Sequence, residues 1–170
     1  MKIKLLFAFV SLVAFSYAQP YKHSIGLKSG YPGVINLNNK LFVSATMPRW
    51  ALENSVGVNF DRDNQYINAQ TMISFNQPLG VSTGYFLYFG IAPTAQYYFK
   101  GAILEEDGSV GSEKFLFRTD ALLGFEFSGV QQKRIPLTLA FDVGPTYVII
   151  PKPGFFIAFN IGLRYIVAGS

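Results

Sequence analysis

Of the residue types that carry acid–base, nucleophilic or metal chemistry, this sequence offers one histidine (His23), no cysteine and 10 acidic residues. Without cysteine there is no disulfide framework, thiolate metal site or cysteine nucleophile. A single histidine excludes a multi-histidine metal centre. A serine hydrolase needs a base beside its nucleophile, and the lone imidazole lies where the first strand pattern begins, in its apolar phase. The chain is therefore expected to be no enzyme and to hold no cofactor or metal, with His23 an interfacial anchor. The acidic runs Asp61-Arg62-Asp63-Asn64 and Glu105-Glu106-Asp107-Gly108 lack the spacing and closing Glu of a calcium loop, and read as solvated turns. What remains is a set of charges inside alternating segments: Glu53, Arg118, Asp120, Glu126, Asp142 and Arg164. The chemistry they offer is pairing.

Positioning those charges requires strands. Beyond the N-terminus no segment reaches the about 18 uninterrupted apolar residues of a spanning helix, and the recurrent pattern has period two. Trp50, Leu52, Val56, Val58 and Phe60 alternate with Glu53, Ser55, Gly57 and Asn59. Phe115, Phe117, Ala121, Leu123, Phe125 and Phe127 alternate with Arg118, Asp120, Gly124 and Glu126. Further on, Leu137, Leu139, Phe141, Val143, Tyr147 and Ile149 stand against Thr138, Asp142, Gly144 and Thr146. The last such segment sets Phe155 to Val167 against Ala158, Asn160, Gly162 and Arg164. Seven turn-forming runs punctuate the chain: Ser29–Gly33, Met47–Arg49, Asp61–Asn64, Asn76–Gly80, Gly101–Glu113, Gly129–Arg134 and Pro151–Gly154. They divide it into eight strands, at 22–29, 34–45, 50–60, 66–75, 82–100, 114–128, 135–149 and 155–167. Proline cannot donate to a ladder, so Pro93 and Pro145 are expected either to mark β-bulges near a rim or to occupy edge positions.

Lys2 and Lys4 precede the apolar run Leu5–Phe15, and Ser16-Tyr17-Ala18 offers small residues at a cleavage site. Residues 1–18 are thus expected to be a cleaved export signal, and 19–170 a single domain. Only 14% of the chain is charged and 50% is hydrophobic, against about 25% charged in ordinary soluble domains. The net charge of +4 includes the two lysines of the leader, and the other basic residues are scattered. That argues against a nucleic-acid partner.

Alternation alone does not say which face is outside. The apolar phase is free of charge, as a lipid face must be, because Lys or Arg there costs about 2–4 kcal/mol at the bilayer midplane. The glycines Gly26, Gly57, Gly84, Gly90, Gly124, Gly144 and Gly162 all share the polar phase, where the crowded interior of a small barrel wants small residues. A solvent-facing exterior would be rich in Lys and Glu, and this polar phase is mostly Gly, Ser, Thr, Asn and Gln. The polar face is therefore expected inside. Trp50 and Tyr165 then fall near one membrane boundary, and Phe60, Phe99, Phe115, Tyr147 and Phe155 near the other, as two aromatic girdles. Glu53, Glu126 and Arg164 share one half of the lumen, Asp142 lies near mid-height, and Arg118 and Asp120 lie beyond it. A structural network is expected in which Arg164 bridges Glu53, Glu126 or Asp142; a gated ion or proton path is its alternative.

With Ser24-Ile25-Gly26-Leu27-Lys28-Ser29-Gly30, Ala51-Leu52-Glu53, Ile135-Pro136-Leu137-Thr138-Leu139-Ala140-Phe141-Asp142 and the closing Gly162-Leu163-Arg164-Tyr165, the chain resembles the small eight-stranded outer-membrane β-barrels of Gram-negative bacteria, the OmpA-transmembrane and OmpX-like group. The resemblance implies an all-β, eight-stranded antiparallel up-and-down transmembrane β-barrel, integral to the outer membrane. It implies a structural or surface-binding role with at most a small conductance, since water-filled channels belong to barrels of about 16 or more strands. The implied partners are outer-membrane lipid, lipopolysaccharide and the barrel assembly machinery, with the protein a monomer. In such families the last strand ends in an aromatic assembly signal, and Val167 holds that place here. The alternative is a secreted lipocalin-like carrier of an apolar ligand, which would invert the faces.

Overall fold

A strand turns successive side chains to opposite faces, so a sheet with one apolar and one polar face needs two different environments. In the computed structural model, which describes residues 21–31, 33–43, 49–60, 62, 64–79, 84–100, 114–129 and 135–168, the sheet separates them by closing on itself. Eight strands follow one another: β1 (His23–Tyr31), β2 (Val34–Phe42), β3 (Arg49–Phe60), β4 (Gln65–Pro78), β5 (Tyr85–Lys100), β6 (Phe115–Ser128), β7 (Leu137–Ile150) and β8 (Gly154–Ala168). Each pairs antiparallel with the next, and β8 returns to β1, so the order around the barrel is the order in the chain. The fold is all-β, up-and-down and closed. The expected leader, residues 1–18, and the acidic run Glu105–Gly108 lie outside the described residues.

The end where β1 starts and β8 finishes is here the terminal end, and the opposite one the far end. The wall is uneven, because β1 and β2 have 9 residues each whereas β5 has 16. At the far end β1 and β2 join in a tight hairpin in which Gly33 takes φ of 59°, a left-handed conformation that costs glycine little. Gly84 lies just outside the strand: its φ is 69°, and β5 starts only at Tyr85. Strand β4 runs on through Pro78 to meet Phe86. The prolines inside strands make no bulge. Pro93 faces outward and pairs with Thr119, Pro145 faces outward and pairs with Ile157, and the register runs unchanged past both. Register shifts fall instead at His23/Ser24, Gln65/Tyr66 and Phe117/Arg118.

Burial divides the two faces. Outward positions keep large apolar side chains exposed on every strand, among them Leu27, Leu37, Val56, Ile73, Phe89, Leu123, Val143 and Leu163. Inward positions bury polar and charged side chains instead, including Lys28, Lys40, Glu53, Asp120, Glu126, Asp142 and Arg164. An eight-stranded barrel is just wide enough for side chains to fill, and glycine makes room where a large one needs it. Tyr88 lies directly across from Gly124, where an added Cβ would stand 2.1 Å from the Tyr88 ring.

Candidate functional site

The inward side chains are arranged in layers. At the terminal end Tyr21, just ahead of β1, turns into the barrel and packs with Phe42, Ala51 and Ile166. Its ring meets Phe42 edge-on at 5.2 Å. The chain is fixed there by the bond from the Phe42 amide to the Lys22 carbonyl at 3.0 Å. Further in, Met72, Tyr88, Ala92 and Leu122 form a second apolar cluster. Strands β1, β2, β3, β6, β7 and β8 each contribute one buried charge to the layer beside these two clusters.

Arg164 of β8 is the hub. Its Nη1 donates to Glu53 Oε2 at 2.9 Å and to Asn38 Oδ1 at 3.1 Å, its Nη2 donates to Glu126, and its Nε reaches Thr138 Oγ1 at 3.3 Å. Asp142 is not one of its partners. Lys28 joins that carboxylate to the network, with Nζ at 2.9 Å from Glu53 and 3.0 Å from Asp142. Lys40 Nζ lies 2.7 Å from Glu126 Oε2, donates to Asn76 Oδ1 at 2.8 Å, and sits 4.9 Å from the Tyr88 ring centroid. Tyr21 donates its hydroxyl to Glu126, and Tyr88 donates to Asp142 at 2.8 Å. Burial, reinforced by the Glu126 charge, raises the Tyr21 hydroxyl well above the usual tyrosine range. Three cations thus face three carboxylates, and the layer is electrically neutral.

Arg118 and Asp120 form a separate layer toward the far end. Asp120 receives Thr146 at 2.6 Å, Gln70 at 2.8 Å and Thr94 at 3.3 Å. Arg118 approaches it only through Nε at 3.6 Å, and stacks 5.4 Å from the Phe156 ring centroid. No described ion pair links this layer to the six charges below.

Of the six charges singled out in the sequence, the structure brings Glu53, Glu126 and Arg164 into direct contact, attaches Asp142 through Lys28, and sets Arg118 and Asp120 apart. Sequence reasoning missed Lys28 and Lys40, although both were legible. Lys28 shares the phase of Gly26, and Lys40 follows Asn36 and Asn38 at period two against Ile35, Leu37 and Leu41. Tyr21 and Tyr88 carried no such signal, because an aromatic residue fits either face. The girdle candidates Trp50, Phe60, Phe99, Phe115, Tyr147, Phe155 and Tyr165 all turn outward and are exposed. The carboxylates of the hub are already matched by cations, and among the described residues no group of His, Asp and Glu side chains comes together that could hold a metal ion.

Fold and site together define a closed eight-stranded β-barrel, apolar outside and ionic within. Among solved structures the chain is similar to the crystal structure of Neisserial surface protein A, at 12% sequence identity and a TM-score of 0.46, over 85% of this chain and 92% of that one. No protein-family profile matches the chain, and no curated protein matches it.

Proposed function

We propose that this protein is an integral barrel of the outer membrane with a sealed lumen, acting as a structural or surface-presenting element and not as a pore or an enzyme. The observation that carries the reading is the outward face, where Leu27, Ile35, Val56, Ile73, Ile157 and Leu163 are each more than half exposed. An apolar belt on a closed barrel suits hydrocarbon, and closure leaves no strand edge unpaired there. The seal is supported by the lumen's order of layers. A hydrated ion would cross the Tyr21–Phe42 plug, a neutral salt-bridge layer and the Met72–Leu122 cluster in turn. Lipid and lipopolysaccharide are the surroundings this belt fits, and delivery by an assembly machinery belongs to the same reading. A soluble carrier of apolar ligands needs the reverse arrangement, an apolar cavity inside a polar shell, and no observation favours it.

The test is gel mobility of the outer-membrane fraction in SDS with and without boiling. The expected result is a compact, faster band in the cold sample that shifts on heating. A protein recovered without detergent, and with no shift, would refute the membrane reading.

A further inference from the structure

On β2, β3 and β4 the outward rows of the ladder are apolar on both sides of one polar row. Cross-strand pairing aligns Leu37, Val56 and Ala69 in one apolar row and Leu41, Leu52 and Ile73 in another. Between them run Asn39, Asn54 and Thr71, directly opposite one another. Asn54 stands midway along β3, between Trp50 and Phe60, and it and Thr71 are exposed. Thr71 Oγ1 donates to Asn54 Oδ1 at 3.0 Å. Among the described residues nothing accepts the Asn54 Nδ2 hydrogens, and nothing pairs with the Asn39 side-chain amide. Bordering the row, Ala69 and Ala95 face each other as the floor of a depression of about 220 Å³ walled by Val56, Ile67, Tyr97 and Phe115.

We infer that this face, centred on Asn54, is where a second copy of the chain docks within the membrane. The inference rests on the membrane reading and departs from the monomer that the family resemblance implies. Hydrocarbon has no partner for an amide hydrogen, so an outward Asn at mid-belt pays a desolvation cost unless a protein group meets it. A carboxamide carries both a donor and an acceptor, so it pairs with its own image across a two-fold axis, where the same patch meets itself. Intramembrane contacts combine small residues, which allow close approach, with polar side chains that supply the bonds. Here the Ala69–Ala95 floor and the Asn39–Asn54–Thr71 row adjoin. The opposite wall, β7 and β8, presents Phe141, Val143, Ile157, Ile161 and Leu163 outward, an all-apolar surface that lipid covers.

The native chain has no cysteine, so a single introduced thiol reports on its own. The full chain is inserted into liposomes, and its cold-SDS mobility is checked first; failure at that step would overturn the membrane reading, whatever the state of association. In the inserted protein, oxidation of Asn54→Cys is expected to give a covalent dimer and oxidation of Ile161→Cys none. With the row intact and dyes placed elsewhere, energy transfer between copies measures the dissociation constant. Asn54→Leu and Thr71→Val are expected to raise it about tenfold each, on the scale of intramembrane polar contacts, while cold-SDS mobility is kept. An inserted protein that shows no transfer overturns the inference, as does equal crosslinking at both thiols or a dissociation constant that Asn54→Leu leaves unchanged.

Discussion

At the terminal end of the lumen Glu126 takes Arg164, Lys40 and Tyr21 at once, whereas toward the far end Arg118 approaches Asp120 only through Nε at 3.6 Å. Buried polar atoms without a hydrogen-bond partner include Asn68 Oδ1, Gln96 Nε2 and Arg118 Nε, and also Asn36 Oδ1 and Ser128 Oγ on residues paired with Lys28 and Thr138. The charged side chains of the six-charge layer are all paired. A buried charge is tolerable when it is paired and its remaining bonds are met, and the six-charge layer meets that condition. The Arg118–Asp120 pair does not, since Arg118 Nε has no hydrogen-bond partner.

Mutations can break or sharpen that contrast. The largest effect is expected from Arg164→Ala, which strands Glu53 and Glu126 with fewer cations and should cost about 3–5 kcal/mol in denaturant unfolding from micelles. Unchanged stability would mean that the six charges do not act as a unit. Tyr21→Phe removes one donor to a buried carboxylate and leaves the ring against Phe42. A loss of about 1.5–3 kcal/mol is expected, the usual range for a hydrogen bond to a charged group. The smallest effect is expected from Arg118→Met, because Asp120 retains Thr146, Gln70 and Thr94. A cost below about 1.5 kcal/mol, measured in the same way, fits an ion pair without a hydrogen bond. If Arg118→Met cost as much as Arg164→Ala, the two layers would be equivalent and the contrast would fail.

The architecture was legible because alternation fixes the face of every residue once the strand limits are known. Strand ends were less so. Asn76–Gly80 reads as a turn and Gly84 as a glycine within a strand that starts at 82, yet β4 carries on through Pro78 and β5 starts only at Tyr85, since only the pairing partner decides which terminal residues remain bonded. The charged half of the site could be read from phase alone, which gave Glu53, Glu126 and Arg164 and should have given Lys28 and Lys40. It did not assign Asp142 to Lys28 over Arg164, because that choice depends on how far each side chain reaches across a closed lumen. The outward row was hidden by the same method. The apolar set on β3 passes from Leu52 to Val56, and Asn54 in the gap is conspicuous only when Asn39 and Thr71 are seen beside it.

Arg164 also ties electrostatics to closure of the ring. Its partners Glu53 and Glu126 lie on β3 and β6, but the arginine stands on β8, the strand whose pairing with β1 closes the barrel. Without it, three carboxylates would face two lysines. The strand that joins the two ends of the sheet thus also carries the cation that leaves the interior neutral. The last strand is a key as well as a stave.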